Sequence, residues 1–468
     1  MNFYKSASGR YYPSNWCIVF DFPFGALKRA IKHLTGSTDC SLLSISNFDD
    51  NGHQIDWQSE SKINDLLFLL TFVHELGHSR HLSASPIGFM LWLLGTHERA
   101  DATVLLRQWA KKSRKSLTQT PLTNLTDCEM AHIVQLRQKY QNLQYGFKGR
   151  VPEDAIWTPH PGVWTLLNEI QSDCNNILGT ATEIPDLVTD VYKFGWHPKS
   201  SLTTNSVIEG LARCVEYSCL VLLGAPHEVI NYFITLKAHG EYMQTIGLVE
   251  KELGIEAPSS AVATGIISDW ALQSPVLPPL LDGREYVSIQ ELLPAWRFVS
   301  IVEVLKSHHI RLLDLLRSVD EIEFEVFSHL NWERPDEIRQ RVEGFIPPSP
   351  RLSTTRISLR KLLAGARARR NYPNALLYLN GNIETEIIQA CSAIFADSTV
   401  AKIGDFDNDS DGDLLLMVFL DDTIRESVLT SSPIDKALLV ARAILPQTWQ
   451  PQQISQFVAS RIRTILEG

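Results

Sequence analysis

The sequence of 468 residues lacks an apolar run long enough to cross a membrane. Its longest apolar runs are Leu66–Leu70 and Ile87–Leu94, whereas a membrane-spanning helix needs about 20 apolar residues. The first residues, Met1–Pro23, alternate polar and aromatic side chains and lack the continuous apolar core of a signal peptide. These absences argue against a membrane protein and predict a soluble, cytoplasmic chain.

Cysteine is scarce, and no CxxC pair occurs. The seven cysteines are scattered and odd in number, a usage typical of a reduced intracellular protein rather than of a disulfide scaffold. The sequence also lacks the GxGxxG and Walker A loops that bind nucleotides and the GxSxG turn of serine hydrolases. It therefore gives no sign of nucleotide-dependent or serine-hydrolase chemistry.

Basic residues are outnumbered by acidic ones, with 43 Lys and Arg against 53 Asp and Glu, which gives a formal net charge of −10. An acidic chain is a poor general binder of nucleic acid, so we do not expect a nucleic-acid partner. Hydrophobic residues make up 44% and charged residues 21% of the chain. This is the composition of a folded globular protein, and it excludes a mostly disordered chain or a fibre.

Most of the chain is patterned as helix. Residues 61–82 carry no proline and have apolar residues at helical spacing, which predicts one long, largely buried helix. Further helices are predicted at 97–113 and at 205–223, the latter ending before Gly224 and Pro226. Toward the C-terminus, the pattern predicts helices at 288–319, 335–342, 357–370, 384–395 and 433–444, and one strand at 414–420. We therefore expect a mainly α fold with minor β structure.

A proline-rich segment, Ser274–Gly283, is the best candidate for a domain boundary. It divides the chain into a domain at 1–273 and a mostly helical domain at 283–468. The C-terminal domain carries no identifiable catalytic motif, so binding of a protein partner is the role we consider for it.

The one sharp chemical signal is the HELGH motif at residues 74–78, inside the long helix. His74 and His78 are four residues apart and lie on one face of a helix, one turn apart. Two imidazoles so placed can bind one Zn²⁺ ion at about 2.0–2.1 Å each. Glu75 can take a proton from water that zinc activates. Gly77 costs roughly 1 kcal/mol inside a helix, which suggests that the helix backbone approaches something closely there.

The alternative is that the three fixed residues of HExxH arose by chance. The residues before the motif, Leu66–Val73, are almost all apolar. Buried polar side chains on such a helix need a partner, so a metal site accounts for them better than chance does.

The segment TFVHELGHSR, residues 71–80, resembles the extended signature of the zincin metallopeptidases. Thr71 stands three residues before the motif, where that family commonly has Val or Thr. Leu76 and Gly77 between the histidines and Ser79 just after them are uncharged, as in that family. The resemblance implies a zincin-like helical core that hydrolyses peptide or protein substrates, with His74 and His78 as zinc ligands and Glu75 as the general base.

The third zinc ligand is open between two segments. In the first, the run EGLA at Glu209–Ala212 is similar to the Glu-Gly-x-Ala pattern that supplies this ligand in gluzincins. The resemblance makes Glu209 the preferred third ligand, and the small residues beside it would let two helices cross close to the metal. The competing interpretation is a capping box, in which Ser206 and Glu209 only tie down the start of the helix.

The second segment is THERADA, residues 96–102, in which Glu98 stands at the spacing of thermolysin-like enzymes. His97 is the other candidate there, with Asp101 as the carboxylate that orients its ring. The interpretation without metal is a first helical turn whose acids favour the helix dipole. A metzincin site is excluded because Ala84 occupies the required third-histidine position. His81 is three residues after His78, near the same face of the helix, and can support the site there.

Three residues on the Glu209 helix add detail. Arg213 and Glu216 share its face, and Arg213 can neutralise a buried carboxylate, although an internal ion pair is the simpler interpretation. Tyr217 can donate a hydrogen bond to a developing oxyanion, although a packed tyrosine is simpler.

The sequence thus predicts a zinc metallopeptidase. The alternative, from a different class, is a helical interaction or regulatory protein whose zinc site is structural or vestigial. A closed site with a fourth ligand, supplied by His81 or His97, favours the regulatory protein, and an open site favours the enzyme.

Overall fold

A computed structural model describes residues 9–12, 17–20, 22–35, 60–83, 85–91, 197, 200–236, 241–256, 259–276, 288–308, 319–345, 400–403 and 415–419. Most of these residues are helical and few form strands, so the predicted mainly α fold with minor β structure is confirmed. Within these ranges, no helix combines the length and the apolar character needed to cross a membrane.

The strands of the described ranges form one sheet in the order β1-β2-β4-β3. Antiparallel pairs join β1, Gly9–Tyr12, to β2, Cys17–Phe20, and β3, Val400–Ile403, to β4, Leu415–Phe419. The middle pair, β2 with β4, is parallel, so strands from both ends of the chain share one sheet. The strand predicted at 414–420 is confirmed.

The register places Gly9 opposite Phe20, and Phe20 opposite Phe419 on the other side. Ile18 and Phe20 of β2 are fully buried. Strand β1 is at one edge of the described sheet and lies against the second helix of the chain.

The helices, named in chain order, follow the strands β1 and β2. They are α1 Phe24–Thr35, α2 Glu60–Ser83, α3 Thr204–Leu222, α4 His227–Leu236, α5 Glu241–Leu253, α6 Ser259–Leu272, α7 Ile289–Leu292, α8 Pro294–Ser307, α9 Val319–Leu330 and α10 Pro335–Phe345. A short helical segment at 86–91 follows α2.

Two predicted helices that carry motif residues are confirmed. Helix α2 covers the predicted 61–82, and its residues from Asp65 to Ser79 are buried or half-buried. Helix α3 covers all but the last residue of the predicted 205–223 and ends just before Gly224, whose φ of 63° is readily adopted only by glycine. Thr203 is its N-cap and accepts a hydrogen bond from the backbone N–H of Ser206.

The single helix predicted at 288–319 is wrong. The chain instead forms α7 and then α8, which begins at Pro294. Proline fits the first position of a helix because its missing N–H needs no partner there, and Leu293 before it is extended. The helix predicted at 335–342 exists and extends to Phe345. The helices predicted at 97–113, 357–370, 384–395 and 433–444 lie outside the described residues.

Helix α3 lies at the centre of the helical packing, where it contacts α2, α5 and α6. Helix α8 packs on α3, α5 and α6. The buried Arg297 of α8 donates hydrogen bonds to the backbone oxygens of Trp270 at 3.3 Å and Gln273 at 3.2 Å, which ties the end of α6 to α8. The division of the chain into domains at 1–273 and 283–468 stays a prediction.

Candidate metal centre

The candidate site lies where α2 crosses α3. At this crossing Gly77 faces Ala212 and Val215, and a Cβ atom at Gly77 would lie 3.4 Å from Cγ2 of Val215. Gly77 thus faces the other helix, as its place in the motif suggested. An added methyl group would make only ordinary van der Waals contact, so the crossing does not require glycine here.

A tighter approach occurs at Gly210, beside Glu209. A Cβ atom there would overlap Oγ1 of Thr245 on α5 and lie 3.1 Å from its Cβ. Since real Cβ atoms rarely come so close to other atoms, any larger residue at this position would force Thr245 or the helices to shift. The small residue predicted to let helices cross near the metal does so at Gly210, with α5 as the partner.

The structure brings His74, His78 and Glu209 together. Oε2 of Glu209 lies 3.2 Å from Nε2 of His74 and 3.2 Å from Nε2 of His78. The two rings are 4.5 Å apart between centroids and nearly perpendicular, at 87°. One possible ligand atom from each of the three residues lies within 4.8 Å of the others. Both histidines are buried, and the Glu209 side chain is 13% exposed.

The donor set and its spacing fit a zinc ion. Two ligand atoms, each about 2.1 Å from one tetrahedral ion, lie about 3.4 Å apart, and the observed separations from Glu209 to both histidines are 3.2 Å. Two imidazole nitrogens and one carboxylate oxygen are a ligand set that zinc takes in catalytic sites. His74, His78 and Glu209 therefore have the chemistry and the spacing to hold the ion.

The charge of Glu209 points the same way. Burial by itself raises the pKa of this carboxyl, but the charges and hydrogen bonds of His78 and His74 together lower its pKa well below the ordinary value. Its carboxylate is therefore the favoured form, as a metal ligand requires. Arg213, the nearest buried cation on the same helix, pairs with Glu216 and not with Glu209. A divalent ion would supply the positive charge that balances the Glu209 carboxylate.

The capping-box interpretation of Glu209 is wrong. The capping box of α3 joins Thr203 and Ser206. The backbone N–H of Thr203 donates to the hydroxyl of Ser206 at 3.3 Å, and the backbone N–H of Ser206 donates to the hydroxyl of Thr203 at 2.9 Å. Glu209 stands three residues further along, and its carboxylate faces the histidines. The helix start is thus fixed without Glu209, because a threonine immediately before the helix already supplies the cap.

Glu216 and Arg213 hold the ring of His74 from behind. Oε1 of Glu216 lies 2.7 Å from Nδ1 of His74, a separation typical of an ion pair, although its angle departs from that of a hydrogen bond. The guanidinium of Arg213 donates to Oε2 of Glu216 and to the backbone oxygen of Phe233. The predicted internal ion pair is thus present, and it fixes the ring so that Nε2 faces Glu209.

Helices α3 and α5 contribute further residues near the site that the sequence analysis did not single out. Nδ2 of Asn205, one turn before Glu209, lies 3.5 Å from Oε1 of Glu209 and also donates to Oε2 of Glu241. The ring of Tyr242 lies 5.8 Å from that of His74. The four-residue spacing of Asn205 and Glu209 could have predicted their contact from the sequence. No sequence pattern indicates that Glu241 and Tyr242 lie near the site.

Glu75 lies against the edge strand β1. Its side chain is buried, and a Cβ atom at Gly9 would lie 2.5 Å from Cγ and 3.1 Å from Cδ of Glu75. No side chain fits at Gly9 without moving Glu75, so this glycine lets the strand backbone approach the motif. Sequence reasoning missed Gly9 because nothing near it in the chain indicates the contact.

The remaining candidates take no described part in the site. Tyr217 is buried, which raises the pKa of its phenol, and in the described ranges no contact joins it to the three ligands. His81 is buried but is not a member of the group of converging ligand atoms. Four residues named in the sequence analysis lie outside the described residues. They are the alternative ligands His97 and Glu98, the orienting carboxylate Asp101, and Ala84.

Comparisons of the chain with protein-family models, with curated proteins and with solved structures give no match.

Proposed function

We propose that this chain is a zinc-dependent metallopeptidase of the gluzincin kind, in which His74, His78 and Glu209 hold the ion. One observation carries the proposal. Glu209 lies 131 residues after His78, yet its side chain converges with the two histidines of the HExxH motif. Its Oε2 atom lies 3.2 Å from Nε2 of His74 and 3.2 Å from Nε2 of His78. The two histidines are buried and Glu209 is half-buried where two helices cross. Because burial of such polar groups is costly unless it is compensated, a bound ion explains their convergence better than chance does.

Zinc, when bound there, supplies a Lewis acid that lowers the pKa of water toward about 7. The chain's own part falls to Glu75. Its carboxylate accepts a proton from the water whose oxygen bonds to the carbonyl carbon of the substrate peptide. When the carbon–nitrogen bond breaks, Glu75 returns that proton to the leaving amine nitrogen, so the general base ends the cycle unchanged.

The number of converging side chains is the number of protein ligands in a catalytic zinc site. In the part of the chain that the structure describes, the group at α2 and α3 contains three side chains that could hold a metal. Catalytic zinc sites use three protein ligands and keep one position for water or substrate, whereas structural zinc sites use four. A helical interaction or regulatory protein with structural zinc would need a fourth ligand, for which His81 and His97 were the candidates.

The setting of the enzyme is part of the proposal. We infer a cytoplasmic location from the scattered cysteines of the sequence. Its substrates are peptides or proteins, and the region after residue 283 serves a protein partner. These inferences rest on the sequence and on the proposed chemistry.

The substitution Glu75→Gln tests the proposal. It keeps the size of the side chain but removes the proton acceptor, so zinc-loaded protein should hydrolyse a peptide library at least about 100-fold more slowly. Tightly bound zinc, measured after dialysis, should stay near one ion per chain. Glu228→Gln, which changes an exposed acid on α4, is the control and should behave as the wild type. Full activity in Glu75→Gln excludes this mechanism.

A further inference from the structure

We propose a second, surface metal site formed by His308, Glu325 and His329. His308 is the C-cap residue of α8, and the other two lie one turn apart on α9. One possible ligand atom from each residue lies within 4.8 Å of the others, and all three residues are exposed. The site shares no residue with the buried centre.

The ring geometry brings the histidines together. The imidazoles of His308 and His329 stack with centroids 3.8 Å apart and planes 27° from parallel. Nε2 of His329 lies 3.9 Å from Oε1 of Glu325. Two imidazoles and a carboxylate are a ligand set for divalent ions of intermediate softness, such as Zn²⁺, Ni²⁺ and Cu²⁺.

The charge of the pair is compatible with such an ion. Each imidazole offers the lone pair of a ring nitrogen, which binds a metal when the ring is neutral. Glu325 supplies one negative charge toward the two positive charges of the ion. The competing explanation is stacking of neutral rings without any ion, which the experiment below distinguishes.

The exposure of the site sets its role. With three exposed ligands, water would fill the other positions, so the ion would exchange more readily than one in the buried centre. The ion would bridge α8 to α9, which residues 309–318 connect in the sequence. Helix α9 also packs on the core through Phe327, whose ring lies 6.3 Å from that of Trp270. A metal clip at the end of α8 would therefore strengthen this packing.

Zinc titration of the full-length chain by equilibrium dialysis tests the site. The wild type should show two classes of site, one tight and one weaker. His329→Gln and His308→Gln should each abolish the weaker class, because each removes a ligand from the surface. His227→Gln is the matched control, since His227 is an exposed helical histidine that contacts Asn231 instead, and it should keep both classes.

The two proposals fail independently. His78→Gln should remove the tight class and keep the weaker one, so loss of the buried centre leaves the surface site measurable. The proposal is overturned if the wild type has no weaker class, or if that class persists in either His308→Gln or His329→Gln. Either outcome leaves ring stacking without an ion as the explanation of the geometry.

Discussion

The carboxylate of Glu216 lies 2.7 Å from Nδ1 of His74, the ring nitrogen that does not face Glu209. Both residues are buried, and Glu216 is itself held by Arg213. A carboxylate at this position holds the ring with Nε2 facing Glu209, where Nε2 is available to a metal. The ion pair therefore belongs to the site as well as to the packing of α3.

This relationship predicts the effect of Glu216→Gln. The amide keeps the size of the side chain but removes the negative charge behind His74, so zinc affinity should fall about 10–100-fold. Competition with a chromophoric chelator measures this affinity. Unchanged affinity in a folded Glu216→Gln protein would show that the contact is only structural.

The helix crossing beside the third ligand predicts the effect of Gly210→Ala. The new methyl group would overlap the side chain of Thr245 and force it or the helices to shift, so the free energy of unfolding should fall by about 1–3 kcal/mol. Urea denaturation measures this change.

Gly247→Ala on α5 is the matched control for Gly210→Ala. A Cβ atom there meets nothing within 4 Å, so alanine should raise the free energy of unfolding by up to about 1 kcal/mol through helix propensity. Equal effects of the two substitutions would contradict the close approach at Gly210.

The contact between strand β1 and the motif predicts the effect of Gly9→Ala. A Cβ atom at this position would displace Glu75, and a misplaced general base can lower kcat by about 100-fold. Zinc content should stay unchanged because the contact does not involve a ligand.

Gly25→Ala serves as the control for Gly9→Ala, since a Cβ atom at Gly25 on α1 meets nothing within 4 Å. Wild-type kcat in Gly9→Ala, or loss of zinc together with activity, would show that strand β1 does not position Glu75 in the way described.

Sequence reasoning succeeded where the signal is local. The absence of proline and the helical spacing of apolar residues predicted α2, and the four-residue spacing of His74 and His78 placed both on one face. The choice of Glu209 as third ligand rests on a resemblance in four consecutive residues and stays a prediction, although its carboxylate lies beside both histidines. These features depend on neighbours within one or two helical turns, which the sequence displays directly.

Reasoning from the sequence failed where contacts join separate elements. The approach of Gly9 to Glu75 and the hydrogen bond from Asn205 to Glu241 depend on how a strand and two helices pack, which no local pattern encodes. The break at Pro294 was a local signal that was overlooked, because the apolar spacing continues on both sides of it.

Metal analysis of the purified chain alongside Glu209→Ala and Glu98→Ala tests the centre most directly. We predict about one tightly bound zinc ion per chain in the wild type, the same in Glu98→Ala, and loss of that ion in Glu209→Ala. Zinc held normally by Glu209→Ala but lost from Glu98→Ala, or a wild type without tightly bound zinc, would contradict the account.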